Sequence, residues 1–397
     1  MLLFCVLMGR YADAALPPVL RRIIGPRAAG AEGATAGAWC QARHRLGARP
    51  VVARSRSVCR PLATAATPSA SLFGRRRMAL AGITVERPDT PANVRAFGRR
   101  RTPRGRSAWP QAPLVLPVEC GTRAVRDAGV RPGRVDERRA GRRLRRSVGP
   151  GTPLLRDRGF RHVAMAEATE ARGADFLGRL PATVTPLAVR ASGDGTALVR
   201  RRARDSPRRR HGAHVVVRRI RSTPDDPQRP GHRVEQRLVT PLRDPAVAPA
   251  RDPIPAYHRR RGIESALDEL KTHRRPARPL RSRKPIGVVQ GIDGLPIAHY
   301  PVRAALGEAA AEGASPPLRL RFLGALRLIR DHVPRAQHLA ARAYRRPNRQ
   351  LRQAIAAQRR PRRAERGNPR VVKQQMAAHR RWPQPTKPFA DAIVLLI

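Results

Sequence analysis

Short apolar runs separated by polar turns occupy the middle of the chain. RMALAGITVE (77–86) predicts a strand, and APLVLPVECG (112–121) with TRAVRDAGV (122–130) predicts a hairpin. The pattern then predicts a basic helix at 135–148, a strand and turn at GTPLLRDRGF (151–160), the helix VAMAEATEARG and the strand DFLGRL. Strand, hairpin, helix, strand, helix, strand is the order of a mixed α/β fold. Asp157 falls where a central strand ends, which is the usual place for a site in an open sheet.

The flanking regions follow other patterns. Residues 1–77 predict short helices, and the four runs LAVRAS, TALVRR, GAHVVVRRI and VEQRLVTPL predict a β-rich insertion at 181–245. Two apolar helices are predicted at 287–310 and 318–333. The remaining residues are basic and rich in proline, so we predict an extended tail that ends in the apolar run AIVLLI.

One stretch, YHRRRGIESALDELKTH (257–273), predicts a helix with chemically distinct residues on one line. The residues with the spacing Y-x2-R-x3-E-x6-K are Tyr257, Arg260, Glu264 and Lys271. At about 100° per residue they fall within an arc of roughly 60°. An adjoining apolar arc, which allows one face to pack, consists of Ile263, Ala266, Leu267 and Leu270. A carboxylate beside cations and a phenol suits the handling of a metal-bound phosphate polymer, although a solvated helix with ion pairs has the same pattern.

Charge points to a partner. The chain has 82 Lys and Arg against 28 Asp and Glu, a formal net charge of +54, which attracts polyanions such as nucleic acid. Only four of the 82 are lysines, and 40 prolines accompany the arginines, a skew typical of GC-rich coding sequences. The charge therefore supports DNA binding without proving it. We predict that residues 1–77 form a helical module on duplex phosphates, with a purely structural helical cap as the alternative.

The cysteines and the N-terminal sequence bear on three other classes of protein: zinc-binding, secreted and membrane-spanning. Cys5, Cys40, Cys59 and Cys120 have no C-x2-C spacing, which favours reduced thiols in a cytoplasmic protein over a zinc site. The apolar start MLLFCVLMGR lacks a positive n-region and ends at Arg10, so we do not expect secretion. No apolar run approaches the roughly 18 residues of a membrane span, so no membrane partner is expected.

Several segments, in collinear order, resemble a known family. They are QARHRLGARP, VERPDTPANVRAFG, LLRDRGF, AEATEARGADFLGRLPA, the helix at 257–273, LKTHRRPARPLRSRKPIGVVQ, HYPVRAALGEAA, NPRVVKQ and WPQPTKPF. Together they resemble the DDE transposases of bacterial insertion sequences, specifically the IS-four family with its Tyr-Arg-Glu-Lys signature. A spacing match alone is weak evidence, but a collinear series of matching segments is strong.

The resemblance implies an α/β protein with a ribonuclease H-like core, a β-rich insertion and an N-terminal helical domain. We accordingly divide the chain into a helical DNA-binding domain (1–77), a first core part (78–180), the insertion (181–245), a second core part with the signature helix (246–335) and a basic tail (336–397). The family's three carboxylates imply two Mg²⁺ ions about 4 Å apart on a phosphodiester. The implied partners are double-stranded DNA, at transposon ends and at the target, and a second copy on paired ends. The implied location is the bacterial cytoplasm, at the nucleoid.

The family's functional positions map unevenly onto this chain. Asp157 in DRGF and Glu264 match the second and third acids, and so are the candidate catalytic residues and metal ligands. The signature residues that touch transposon-end DNA in the family match Tyr257, Arg260 and Lys271.

The position of the first acid is occupied by Ala81, in the run Ala81-Gly82-Ile83-Thr84. The metal ligand expected there is missing. Asp89 lies eight residues further on, beyond a proline and in a predicted loop. Because metal ligation needs a defined position, Asp89 is a poor substitute.

Other residues also conflict with a working core. Arg261 stands where the family usually has Trp, and Arg156 lies in a strand predicted to be buried on both faces, where an unpaired guanidinium is costly. Pro117 and Pro241 fall in predicted strands, and Pro296 and Pro301 fall in one predicted helix. An interior helix proline costs about 3 kcal/mol, against a total domain stability of about 5 to 15 kcal/mol. We therefore interpret the chain as a decayed copy that is catalytically inactive.

Three hypotheses follow. The first is an active transposase that uses Asp157, Glu264 and one unrecognised acid. The second is a non-catalytic DNA-binding relic that recognises ends through Arg260, Lys271 and its basic helices. The third is a generic arginine-rich protein that binds nucleic acid without sequence preference, with steep salt dependence. We favour transposase as the lineage and inactivity for this copy.

Overall fold

The computed structural model describes residues 35–102, 105–130, 147–157, 160, 163–202, 214–229, 231–270, 282–336, 339–361 and 385–396. The chain divides into two compact units, one comprising Met1–Gly149 and Arg261–Arg360 (unit 1) and the other Pro150–Arg260 and Pro361–Ile397 (unit 2). The predicted helices before residue 35, and the predicted basic helix at 135–148 as far as residue 146, lie outside the described residues. No helix in the described ranges is long and apolar enough to cross a membrane.

The described part of unit 1 begins with two helices, α1 (Ala36–Leu46) and α2 (Arg49–Val58). The Thr35 hydroxyl accepts a hydrogen bond from the Ala38 amide and caps α1, and Gly47, with φ of 70°, ends it. The short helices predicted within residues 1–77 are confirmed for these two stretches, which Gly47 separates. Val51 on α2 is fully buried against a later helix of the same unit.

The sheet of unit 1 is antiparallel. After a small hairpin, β1 (Ser71–Leu72) with β2 (Arg75–Arg76), the strand β3 (Met78–Glu86) leads to α3 (Pro91–Phe97) and a second small hairpin, β4 (Arg101–Thr102) with β5 (Gly105–Arg106). The strand β6 (Gln111–Glu119) pairs with β3 along all nine positions, and β7 (Gly129–Val130) pairs with its other edge. The predicted strand and hairpin are confirmed, with a second arm of only two residues.

The helical part of unit 1 comprises α6 (Gly262–Asp268), α7 (Pro285–Glu312), α8 (Phe322–Ala336) and α9 (Ala341–Ala357). Both predicted apolar helices are confirmed as α7 and α8. The extended conformation predicted after residue 336 is wrong for Ala341–Ala357. This stretch is helical because Leu351 and Ile355 pack into the core formed by α7 and α8, which outweighs the interior Pro347.

Unit 2 is built on a second set of strands. The parallel pair β8 (Leu154–Arg156) and β9 (Phe176–Leu180) is joined by the helix α4 (Val163–Glu170), as predicted. An antiparallel series then runs through β10 (Leu187–Ala191), β11 (Ala197–Arg202), β12 (His214–Pro224) and β13 (Gln236–Thr240), which pairs with β9. The β-rich character predicted for 181–245 is confirmed. The last strand, β14 (Ile393–Leu395), pairs with the end of β12.

Of the four prolines that were predicted to lie inside a strand or a helix, three do and one does not. Pro296 and Pro301 lie inside α7, and Pro117 lies inside β6 opposite Leu80. Pro241 was predicted to lie in a strand, but β13 ends at Thr240, one residue earlier. A strand that stops before a proline loses no ladder hydrogen bond, so Pro241 does not conflict with the fold.

Candidate active site

Asp157 directly follows β8, at the strand end where the sequence predicted it. Its side chain is 53% exposed, and its Oδ2 lies 3.5 Å from Nη2 of Arg260. Arg260 belongs to the 3-10 turn Arg259–Arg261 that follows the helix α5 (Pro253–His258). Within unit 2, one acid and one cation of the predicted site are thus brought together.

Tyr257 fastens α5 to the end of the same strand. Its hydroxyl donates a hydrogen bond of 3.1 Å to the backbone carbonyl oxygen of Arg156, the residue before Asp157. The ring is buried, and the Arg260 guanidinium lies 5.8 Å from its centroid. Burial raises the pKa of the phenol above its ordinary value, so the hydroxyl stays a hydrogen-bond donor at neutral pH. Tyr257 therefore holds the turn with Arg260 against Asp157.

Arg156 is buried in β8, as the predicted two-sided burial of that strand implied. Its guanidinium stacks on the ring of Phe176 at 3.5 Å, and among the described residues its Nε and Nη1 have no hydrogen-bond partner. Burial, together with the charge of Arg201, lowers the pKa of Arg156 to about 9. A cation next to the candidate catalytic acid is thus held where ionisation is unfavourable.

Replacing this guanidinium should stabilise the protein. We expect Arg156→Met to raise the free energy of unfolding by about 1 to 2 kcal/mol, because each unsatisfied buried donor costs about 1 to 3 kcal/mol and the lost cation–π contact returns only part of this. Denaturant unfolding measures the change. The exposed Arg190 on β10 provides the control, since Arg190→Met should change stability by less than about 0.5 kcal/mol. A less stable Arg156→Met variant would contradict the prediction.

The prediction of one continuous α-helix from Tyr257 is wrong for the described residues of this segment, which end before Lys271. The segment consists of α5, the 3-10 turn Arg259–Arg261 and α6, and the boundary between the two compact units falls after Arg260. The predicted apolar arc does pack, since Ile263, Ala266 and Leu270 are buried.

Glu264 and Ala81 both lie in unit 1. Glu264 is exposed in the first turn of α6, and α6 packs against β3, the strand that contains Ala81. Ala81 is 4% exposed and stands opposite Leu116 of β6. The residue that the sequence matched to the first acid is therefore a buried alanine, in a well-formed strand that packs against the helix of Glu264.

Asp89 lies in the predicted loop between β3 and α3, where its Oδ2 is paired with Nη2 of Arg99. Lys271 and the residues up to 281 lie outside the described residues. Among the residues that the structure describes, no three His, Cys, Asp or Glu side chains form a group that could hold a metal ion.

Sequence reasoning missed a buried charge cluster in unit 1. Glu269, one residue past the end of α6, is 2% exposed and accepts hydrogen bonds from Arg303 and from His299, whose Nε2 lies 3.1 Å from Oε2. Arg123 Nη1 lies 3.6 Å from the same carboxylate. The spacing of His299 and Arg303, one helical turn apart on an apolar helix, was the available signal.

The cluster sets the ionisation of its carboxylate. Burial by itself would raise the pKa of Glu269, but the Arg303 guanidinium and the His299 hydrogen bond outweigh it and lower the pKa to about 2. Burial lowers the pKa of Arg123 to about 10. Glu269 is therefore a charged structural group whose two oxygens are already engaged.

The family model and the relative found among known proteins agree with the resemblance in the sequence. A family model described as a transposase DDE domain matches residues 77–299, more than half of the chain. The transposase InsG for insertion sequence element IS4 of Escherichia coli (strain K12) is 26% identical over 355 residues, which cover 88% of this chain and 77% of that protein. The cryo-EM structure of the piggyBac transposase synaptic complex with hairpin DNA aligns with a TM-score of 0.40 and 14% identity, over 70% of this chain and 57% of that one. This chain belongs to the IS-four family of DDE transposases.

Proposed function

We propose that this chain binds the ends of a transposable element but does not cleave DNA. The observation that carries the proposal is Ala81, which is buried in β3 beside α6 and places a methyl group at the first-acid position. Asp157 and Glu264 remain as the other two acids, and Asp89 is engaged by Arg99 in its loop. A family enzyme without one of its three carboxylates lacks a ligand that its chemistry uses.

A ribonuclease H-like core is part of the proposal. In unit 1 the central β6 separates β3 from β7, and in unit 2 α4 joins the parallel strands β8 and β9, both as that core requires. Residues 181–245 would be its β-rich insertion. The division into domains at 77, 180, 245 and 335 belongs to the same proposal.

The metal site follows from the acids. Two Mg²⁺ ions bound there would supply Lewis-acid activation of a phosphodiester. Mg²⁺ requires oxygen ligands, and the Ala81 side chain offers none, so the residues present do not fit the three-carboxylate arrangement that holds such a pair. This copy is therefore not expected to cleave DNA.

Binding to DNA rests on charge and on the position of Arg260. Its guanidinium lies beside Asp157 at a strand end, where the buried Tyr257 hydroxyl fixes the adjoining helix to the strand. We propose that Arg260 and Lys271 contact phosphates of transposon-end duplex and that Tyr257 orients Arg260. The formal charge of +54 would add attraction to any duplex, and the chain would bind paired ends as a homodimer.

Binding and cleavage assays on one set of duplexes test the proposal. The full chain is expected to bind duplexes from the two termini of its own element more tightly than shuffled duplexes of equal length at physiological salt. It should leave both uncut with Mg²⁺ or Mn²⁺. Equal affinity for both duplexes would instead favour a generic arginine-rich binder, and strong cleavage that Asp157→Ala abolishes would show an active enzyme.

A further inference from the structure

The C-terminal segment of the chain belongs to unit 2 and packs along its strand β12. We call residues 386–396 the C-terminal clasp; the segment includes β14, which pairs with Ser222–Pro224 of β12. Beyond the strand, the Leu396 amide donates to the Arg221 carbonyl oxygen at 3.1 Å, and Ala392 accepts from the Asp225 amide at 2.6 Å. The clasp includes the last part of the WPQPTKPF motif and lies outside the residues matched by the family model. The roles proposed for the acids and the signature residues do not explain what this segment does.

Asp226 anchors the beginning of the clasp. This buried carboxylate accepts hydrogen bonds from the Thr386 amide at 3.0 Å, the Thr386 hydroxyl at 3.0 Å and the Lys387 amide at 3.3 Å. The neighbouring Arg229 donates to the Lys387 carbonyl oxygen at 2.6 Å. Both backbone polar groups of Lys387 and the amide of Thr386 are thus hydrogen-bonded. The segment is therefore held in one position by directional bonds as well as by apolar contacts.

Phe389 connects the clasp to the candidate site. Its ring is buried and stacks on the imidazole of His258, with centroids 3.6 Å apart and planes 12° apart. The Arg229 guanidinium lies 5.3 Å from the Phe389 centroid. His258 is the last residue of α5, next to Tyr257 and two residues before Arg260.

The turn that carries Arg260 is only three residues long. A 3-10 turn of three residues is short and poorly stabilised by its own hydrogen bonds, so contacts at its flanks decide its orientation. The hydrogen bond of Tyr257 attaches the preceding helix, α5, to the end of β8. The ring stack of His258 attaches the same helix to the clasp.

We propose that the C-terminal clasp is a positioning element for Arg260, acting through the stack of Phe389 on His258. By holding the end of α5, the clasp directs the Arg260 guanidinium to its place beside Asp157. This inference rests on the proposed function in one respect, namely that Arg260 contacts transposon-end DNA. The segment beyond the family model thereby contributes to recognition without touching DNA.

Three full-length variants test the proposal. Phe389→Leu keeps an apolar side chain but removes the stacking ring, Phe389→Tyr keeps the ring, and Val394→Ala changes an exposed residue of the same segment. Phe389→Leu is expected to lower affinity for terminal duplex by about threefold to thirtyfold and to leave affinity for shuffled duplex unchanged. Phe389→Tyr and Val394→Ala should bind as the parent chain does.

A double-mutant cycle shows whether the effect passes through Arg260. In an Arg260→Ala background, Phe389→Leu should cause no further loss of affinity for terminal duplex. Additive losses would overturn the proposal, because the clasp would then act independently of Arg260. So would an undiminished affinity of the Phe389→Leu variant for terminal duplex.

Amide hydrogen exchange separates failure of this inference from failure of the proposed function. Exchange at residues 257–261 is expected to accelerate in Phe389→Leu and not in Phe389→Tyr, whether or not the parent chain discriminates terminal duplex. If discrimination is absent but exchange changes as expected, the proposed function fails and the positioning of the turn stands. Unchanged exchange in Phe389→Leu refutes the positioning role.

Discussion

Ala81→Asp is expected to give this chain DNA-cleavage activity at transposon ends, with a rate at least about 100-fold above that of the parent chain. The substitution restores a carboxylate at the first-acid position, on a strand whose nine-position pairing with β6 is already formed. Supporting residues around a metal are worth about 10- to 100-fold in activity, so a direct ligand should be worth no less. Single-turnover cleavage of labelled terminal duplex, with Mg²⁺ and separately with Mn²⁺, measures the gain.

Two further variants make this result interpretable. Ala81→Asn introduces a side chain of the same size without the charge, so it should fold like Ala81→Asp and remain inactive. Adding Asp157→Asn to Ala81→Asp should remove the gained cleavage, since catalytic residues that act together lose activity when either is removed.

Ala81 is only 4% exposed, so an aspartate there carries a burial cost, and thermal unfolding of each variant must accompany the assay. A folded Ala81→Asp chain that still fails to cut would mean that Ala81 is not what inactivates this copy. Buried Arg156, next to Asp157, would then be the leading remaining obstacle.

Local pattern predicted the elements whose own residues decide their structure. β3 and β6 are nine-residue strands of mostly apolar residues bounded by polar turns, and they are the predicted strands. Asp157 at the end of β8 followed from the same reasoning. The buried residues of such an element lie close together in the sequence, so a single sequence is enough to identify it.

Elements that depend on distant partners were not predictable in this way. The helix α9 contains five arginines, an interior proline and only two large aliphatic residues, and it is helical because these two, Leu351 and Ile355, pack on the core made by α7 and α8. Likewise, the sequence pattern predicted one α-helix from Tyr257, whereas a 3-10 turn at Arg259–Arg261 interrupts that helix. Local propensity is a weak prior in both places, and packing decides.

The role of the signature residues was recognisable in part. The types and spacing of Tyr257, Arg260 and Glu264 marked them, but the hydrogen bond from Tyr257 to the Arg156 carbonyl oxygen joins residues 101 positions apart. Glu269 is more deeply buried than Glu264. Its role was not predictable from local sequence, because its partners lie 30 and 34 residues further on. Contacts of this range are properties of the folded chain rather than of any short segment.

Glu269→Ala is expected to lower the free energy of unfolding by about 3 to 5 kcal/mol, the usual cost of removing one partner of a buried ion pair. The Arg303 guanidinium is 2% exposed and would be left without its carboxylate, close to the second cation Arg123. Denaturant unfolding at pH 7 measures the loss. The matched control is Glu308→Ala, an exposed acid on α7, with an expected change below about 0.5 kcal/mol.

The same carboxylate predicts how stability depends on pH. The pKa of Glu269 is about 2 in the folded chain against an ordinary value of 4.5, so the folded state favours the charged form. Its contribution is fully present above about pH 4.5 and is lost as the pH falls from there toward about 2. The parent chain should therefore lose more stability across this interval than Glu269→Ala does, because the variant has already lost the group that titrates. Equal losses in the two chains, or a Glu269→Ala variant no less stable than Glu308→Ala at pH 7, would mean that the cluster does not stabilise unit 1.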